Sequence, residues 1–362
     1  MHLPQRAADF TPAWLTEAMR SGGGPAGVAV TSVATQPLGM STGLTSDLLR
    51  IVPSYEGAPP GPATLIAKMS SEDEVTAALG SSLRLFDREV HFYKELAGEA
   101  GVTVPRVYFA DSEPDTGRYV LLLEDLGRVG DQNPPHDCTV PEAELVVAAL
   151  AAMHANWWES DRLKKLPWLM SGTSRNYTYA VQRKYQQAWP GIAERFGTKF
   201  PRGVIEIGEA LAPRVSRAYD RASVQPVTLT HGWLWPQNIY LRGDPASPEV
   251  TFISWQTVGL RPGPWDLAFF LATGLPVEAR RANEMRLLRR YHDLLLGRGV
   301  RDYPFDRVIG EYRNGLLRLL IMIAIADDNL DLSTPAGQGL VERYADRSVA
   351  LRDWKCGDYL PL

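Results

Sequence analysis

The sequence predicts an α+β protein of two lobes, a small antiparallel β-rich N-lobe and a larger, mainly helical C-lobe. Three observations carry that expectation. Short β-branched runs crowd the first third of the chain: VAVTSVATQPL, LTSDLLRIV and ATLIAKM, each bounded by Gly, Pro or Ser turns. From about residue 141 the apolar residues recur at helical spacing, in PEAELVVAALAAMHANWW and in segments near 175–195, 203–222, 277–296 and 304–327. Between these helices lies a strand-and-turn island, VTLTHGWLWPQNIYLRG with EVTFISWQ. The 362 residues, 45% of them hydrophobic, are enough for one large core or for two lobes with a cleft.

Taken in order, Thr11-Pro12 before AWLTEAMR reads as an N-cap followed by proline at the first helical position, and the glycines at 22–24 end that helix. Residues 1–27 therefore form an N-terminal helix and linker. Residues 28–124 form the N-lobe: three strands, a helix around LRLFDREVHFYKEL, and two more strand-like runs, VPRVYFA and RYVLLLEDLG. A connector near 124–130 opens the third segment, residues 125–362, which holds the hinge and the helical C-lobe.

Composition excludes several function classes. The net charge is −4, and Lys and Arg are scattered rather than clustered, so no nucleic-acid partner is expected. The apolar run from Leu319 to Ala326 is too short to span a bilayer, and the N-terminus lacks a basic-then-apolar signal pattern. The expectation is a cytoplasmic protein with no membrane partner. Two cysteines, Cys138 and Cys356, make neither a disulfide framework nor a CxxC zinc site, and no metal ligands are assigned.

Several motifs carry chemistry. LIAKM places Lys68 on the third strand, and DREVHFYKEL places Glu89 on the following helix; each alone reads as an ordinary surface residue. PLGMSTGLTSD has Gly39 and Gly43 between strands, a pattern usually no more than a turn. HGWLWPQNIY puts Asn238 seven places after His231, and FISWQTVGLRPGPWDLAFF follows with Ser254, Gln256 and Asp266.

In order and spacing these segments resemble the aminoglycoside phosphotransferase and choline kinase-like superfamily, especially its CHK-kinase-like branch with a protein-kinase-like fold. The resemblance runs from about residue 28 to about residue 330. It implies that Lys68 and Glu89 hold nucleotide phosphates and that the glycine loop covers them. It also implies that residues 123–126, with Glu124 and Leu126, meet an adenine ring; GDQ and LAAMHANWW look similar to the same family. The family pattern is HGDxxxxN, then IDW, then a later Asp-Leu-Ala. Its first aspartate orients the attacking hydroxyl and its second holds magnesium.

Those two positions here are Trp233 and Ser254. An indole N–H only donates, and a serine hydroxyl is a poor ligand for a hard divalent cation, so the chain resembles a degenerate member lacking both aspartates. General-base positioning alone is worth about 10²–10⁴ in rate. Asn238, a magnesium ligand in relatives, persists; Asp266 is expected to brace the loop and His231 to pack beneath it.

Six of the ten tryptophans fall in or near these segments: Trp157, Trp158, Trp233, Trp235, Trp255 and Trp265. Aromatic clusters usually serve packing, but Trp233 replaces a polar cleft residue. The leading expectation is a small organic molecule bound in an aromatic-lined cleft by Trp233, Trp235, Trp255 and Asp266. A cyclisation or isomerisation assisted by Trp233, Ser254, Asn238, His231 or Gln256 would need no cofactor. Two alternatives stand beside it. One is a regulatory pseudokinase that binds nucleotide or a protein partner. The other is a kinase using ATP and magnesium through relocated carboxylates such as Asp266 or Asp244.

Overall fold

The computed structural model describes residues 1–40, 46–57, 61–71, 80–81, 83–113, 115–127, 137–171, 174–221, 223–224, 226–244, 248–326 and 334–361. Gly43 and the GDQ segment lie outside the described residues. The chain forms two compact units. The first comprises Met1–Glu99, Thr103–Asn133 and Ile253–Thr257; the second comprises Ala100–Val102, Pro134–Phe252 and Val258–Leu362. The helix assigned to residues 1–27 thus belongs to the first unit, which residues 253–257 join from far along the chain.

The first unit is an antiparallel sheet flanked by helices. Its strands are β1 (Val30–Met40), β2 (Ser46–Tyr55), β3 (Leu65–Ser70), β4 (Val107–Glu113) and β5 (Arg118–Glu124), in the order β1-β2-β3-β5-β4. Helix α1 (Pro12–Ser21) begins where Thr11 Oγ1 accepts the Trp14 N–H at 3.2 Å. Its buried Trp14, Leu15, Ala18 and Met19 join Leu65, Ala67 and Met69 in one core. Each buried leucine or methionine among them contributes about 1.5–3 kcal/mol by leaving water. Because side chains alternate along a strand, Lys68 points to the opposite face of β3. Helix α2 (Leu85–Glu95) brings Glu89 to it.

The second unit is mainly helical: α3 (Val140–Asn156), α4 (Asp161–Lys164), α5 (Arg175–Phe196), α6 (Val204–Leu211), α7 (Val215–Arg221), α8 (Pro264–Gly274), α9 (Val277–Gly297), α10 (Phe305–Leu316), α11 (Arg318–Ala326), α12 (Pro335–Arg347) and α13 (Val349–Asp353). Helix α3 opens on a capping box, in which the Glu142 carboxylate accepts the Thr139 N–H at 2.7 Å and Thr139 Oγ1 accepts the Glu142 N–H at 3.4 Å. Every residue of α8 is buried, as its PWDLAFFLATG sequence, apolar almost all round, requires.

Three short strands, β6 (Met170–Ser171), β7 (Thr228–Thr230) and β10 (Gly259–Arg261), form a sheet in the order β6-β10-β7. Strands β8 (Ile239–Arg242) and β9 (Glu249–Phe252) form a separate hairpin. The antiparallel pairing of β7 with β10, Thr230 opposite Gly259, positions the second-unit site: the HGW loop follows β7 and α8 follows β10. Among the described residues, no helix is long and apolar enough to cross a membrane.

Candidate functional site

In the first unit, Lys68 and Glu89 are 3% and 0% exposed and form an ion pair, with Nζ 2.7 Å from Oε2 and 3.0 Å from Oε1. Glu89 Oε1 also accepts the Trp255 main-chain N–H at 2.9 Å. The carboxylate therefore ties the middle strand to the segment carrying Ser254. Trp255 is fully buried and stacks on Phe92 with centroids 3.9 Å apart. Gln256 Nε2 donates to Ser46 Oγ at 2.9 Å, and the Tyr119 hydroxyl donates to the same oxygen at 2.6 Å. Burial, with the Glu89 charge beside it, raises Tyr119 well above the ordinary tyrosine value. Ser254 is held in the left-handed region, φ 65°, which costs a side-chain-bearing residue about 1–2 kcal/mol.

At the end of β5, the Glu124 N–H donates to the Arg106 carbonyl at 2.8 Å, so that amide is committed within the unit, and Leu126 is half-buried. Between them Asp125 pairs with Arg50 at 2.6 Å and accepts the Gly127 N–H at 2.9 Å. Burial pushes the Asp125 carboxyl up, but the bonds from Arg50 and Gly127 outweigh it and hold the group below the ordinary value.

In the second unit, the loop after β7 is built on Asp266. Its Oδ2 accepts the His231 N–H at 2.6 Å and its Oδ1 the Gly232 N–H at 2.8 Å, while His154 Nε2 lies 3.4 Å from Oδ2. His154 Nδ1 is 2.8 Å from the Tyr291 hydroxyl, an arrangement in which Tyr291 donates to Nδ1 and Nε2–H donates to the carboxylate. Burial works against ionisation of Asp266, yet the hydrogen bond from His154, the electrostatics of His154 and His231 and the Gly232 amide together lower its pKa. Gly232, at φ 88°, lets the chain turn so that successive amides face the carboxylate. Gly263 is needed because a Cβ there would stand 2.2 Å from the Tyr291 hydroxyl oxygen and 2.7 Å from His154 Nδ1.

Within the loop, His231 Nδ1 accepts the Trp233 N–H at 3.3 Å and Asn238 Nδ2 donates to the Trp233 carbonyl at 2.8 Å. The Trp233 ring is 7% exposed, with its centroid 5.9 Å from that of Trp235, which in turn lies 6.4 Å from Tyr344. The Trp233 indole N–H, distinct from the main-chain N–H, nears the Tyr344 hydroxyl without completing a hydrogen bond. Trp265 packs against Tyr219, Trp158 against Tyr303, and Trp157 beneath Arg162.

The structure thus joins Lys68, Glu89, Trp255 and Gln256 in one network, and His231, Trp233, Asn238 and Asp266 in another. Residues 42–298, more than half of the chain, match the ecdysteroid kinase-like family. The chain belongs to that family. No curated protein matches its sequence.

Solved structures with the same fold as this ecdysteroid kinase-like chain share little sequence with it. A candidate aminoglycoside phosphotransferase of Ralstonia eutropha gives a TM-score of 0.54 at 16% identity, covering 97% of this chain and 98% of that one. The protein of a gentamicin–APH(2")-IIa complex gives 0.52 at 11% identity, covering 96% and 99%. An ethanolamine kinase of Plasmodium vivax gives 0.51 at 10% identity, covering 88% and 82%.

Two residues of this ecdysteroid kinase-like chain join the Asp266 and Gly232 contacts without being among the expected site residues. For His154 the available signal is a histidine within an apolar helical run, LAAMHANWW. Arg318 was the charge in GLLRLLIMI, and its contact with Gly232 depends on tertiary packing that no local pattern reveals.

Proposed function

We propose that this chain keeps the ecdysteroid kinase-like fold without aspartate- and magnesium-dependent phosphoryl transfer, and binds a small apolar organic molecule against the aromatic wall at Trp233. The carrying observation is the indole at residue 233. It replaces the group that would orient an attacking hydroxyl, it offers no acceptor, and it is packed into an aromatic cluster with Trp235 and Tyr344. The donor set does not fit magnesium. The two family carboxylate positions hold Trp233 and Ser254, and both oxygens of Asp266 already accept N–H groups of the loop.

A pocket lined this way selects an apolar shape and can hold a flexible molecule in a reactive conformer, the kind of assistance that suits a cyclisation or isomerisation. His231 and Asn238 serve the loop: each is engaged with the Trp233 backbone.

The intact Lys68–Glu89 pair favours a second reading, a nucleotide-binding regulatory pseudokinase. Thermal unfolding with ATP, with ATP plus magnesium, and with a panel of apolar metabolites separates the readings, because a ligand of the native state raises the midpoint. The proposal expects a rise with apolar compounds and none that requires magnesium. A magnesium-dependent rise overturns it, and a rise with ATP alone selects the second reading.

A further inference from the structure

The second unit carries a cavity of about 270 Å³ whose wall includes no residue of the HGW loop. Its sides are α10, the turn into α8, the end of α7 and the C-terminal 3-10 turn Cys356–Tyr359. Val224, 64% exposed, is part of the wall, so the cavity meets solvent there. Pockets for drug-sized ligands begin at about 300 Å³, so this space suits a compact molecule.

Two buried side chains of the wall each hold a polar atom with no partner among the described residues. They are Asn314, 3% exposed, at Oδ1, and Trp265, 1% exposed, at Nε1. The Asn314 amide is oriented by its other end, where Nδ2 donates to the Ala218 carbonyl at 3.2 Å; turned over, it would set two oxygens against each other. Oδ1 is therefore an acceptor without a donor, and the indole a donor without an acceptor. The two residues are neighbours in space. Helix α10 packs closely on α8 because residue 315 is glycine: a Cβ there would stand 3.0 Å from Trp265 Cα and 2.9 Å from Ala268 Cβ. Buried polar groups are nearly always paired, and one orphan of each kind in the wall of one cavity points to a ligand that supplies both partners.

The charges of the wall balance, with Arg221 and Arg307 against Asp306 and Glu311. Arg307 Nε donates to Glu311 Oε1 at 2.9 Å, and the Tyr303 hydroxyl donates to Oε2. Arg221 Nη1 donates to the Tyr359 carbonyl at 2.5 Å, and its guanidinium lies 4.9 Å from the centroid of the Tyr359 ring. Three of the four ionic groups are thus engaged within the protein and the sum is zero, which favours a neutral ligand over an ion.

We propose that this cavity is a second small-molecule site, separate from the Trp233 loop, and that it takes a small neutral primary amide whose NH₂ group donates to Asn314 Oδ1 and whose carbonyl accepts the Trp265 indole N–H. A primary amide carries both functions on one planar group, and Val224, Pro262 and the Trp265 ring offer apolar contact to the rest of the molecule. The inference stands apart from the Trp233 reading, and neither needs the other.

The test is titration of the full chain with three molecules of one shape: benzamide, acetophenone and α-methylstyrene. They carry a donor and an acceptor, an acceptor alone, and neither. The readout is the set of tryptophan indole N–H resonances, with that of Trp265 assigned by its loss in Trp265→Phe. Benzamide is expected to shift the Trp265 resonance and to bind about 2- to 10-fold more tightly than acetophenone, the range for one neutral hydrogen bond. Acetophenone should in turn bind more tightly than α-methylstyrene. Asn314→Leu should remove the advantage of benzamide over acetophenone. Equal affinity for the three in the wild-type chain overturns the proposal without recourse to a variant, and so does the absence of binding by any of them. A response at the Trp233 indole with none at Trp265 also overturns it, and supports the Trp233 reading instead.

Discussion

The Glu89 carboxylate accepts the main-chain N–H of Trp255 at 2.9 Å while pairing with Lys68 at 2.7 Å, so residues 166 positions apart share one buried charge. The lysine–glutamate pair is thereby an architectural joint. Losing either partner should be felt in stability before any activity is considered.

Removing one partner strands a buried charge. Glu89→Gln or Lys68→Met is expected to cost about 3–5 kcal/mol, measured by urea denaturation. The double variant Lys68→Met/Glu89→Gln should cost less than the sum of the singles, because it leaves no charge unpaired. Strict additivity of the two would show that the ion pair does not couple them.

Asp266 sets an acid limit. Its folded-state pKa lies below the ordinary 3.8, so its ionised form contributes stability that is complete well above pH 3.8 and is lost as the pH falls through the lowered value. Asp266→Asn should cost about 3 kcal/mol at neutral pH by mispairing the His231 and Gly232 amides. That deficit should shrink as the pH is lowered past 3.8. A deficit independent of pH would remove Asp266 from the acid limb.

Trp233 serves packing in the ligand-free chain. Trp233→Ala should cost about 3–5 kcal/mol. Trp233→Phe should cost less than Trp233→Ala, because it keeps an aromatic ring and leaves a smaller cavity in the cluster. Trp233→Asp should be worse than Ala, because it places an unpaired carboxylate in an aromatic cluster. Calorimetric midpoints in that order confirm the burial, and an Asp variant as stable as wild type contradicts it.

Ser254 occupies a left-handed backbone position, φ 65°. Ser254→Gly should raise stability by up to about 1 kcal/mol, as the relief of strain exceeds the entropy glycine adds to the unfolded chain. Ser254→Val should lower it. A glycine variant less stable than wild type would mean that the serine hydroxyl makes a contact worth more than the strain.

Much of the fold was legible in the sequence for local reasons. Thr11-Pro12 announces a helix start because capping acts over three or four residues. LIAKM announces a strand because its apolar and β-branched residues suit a sheet interior. The glycine loop at Gly43 falls outside the described residues. The candidate site was legible as an ordered set of motifs. The partnerships were not: a sequence does not state that Glu89 receives Trp255, or that Asp266 receives His231, Gly232 and His154.

By itself the sequence determined the two-part α+β architecture, the family pattern and the identity of Trp233 and Ser254, because propensity, periodicity and side-chain chemistry are properties of residues and their near neighbours. Only the tertiary structure decided that Trp233 is a packed ring, that Asp266 is saturated with donors, and that Arg261 and Arg318 are buried around one loop. Burial and charge compensation are set by groups far apart in the chain, which folding alone brings together.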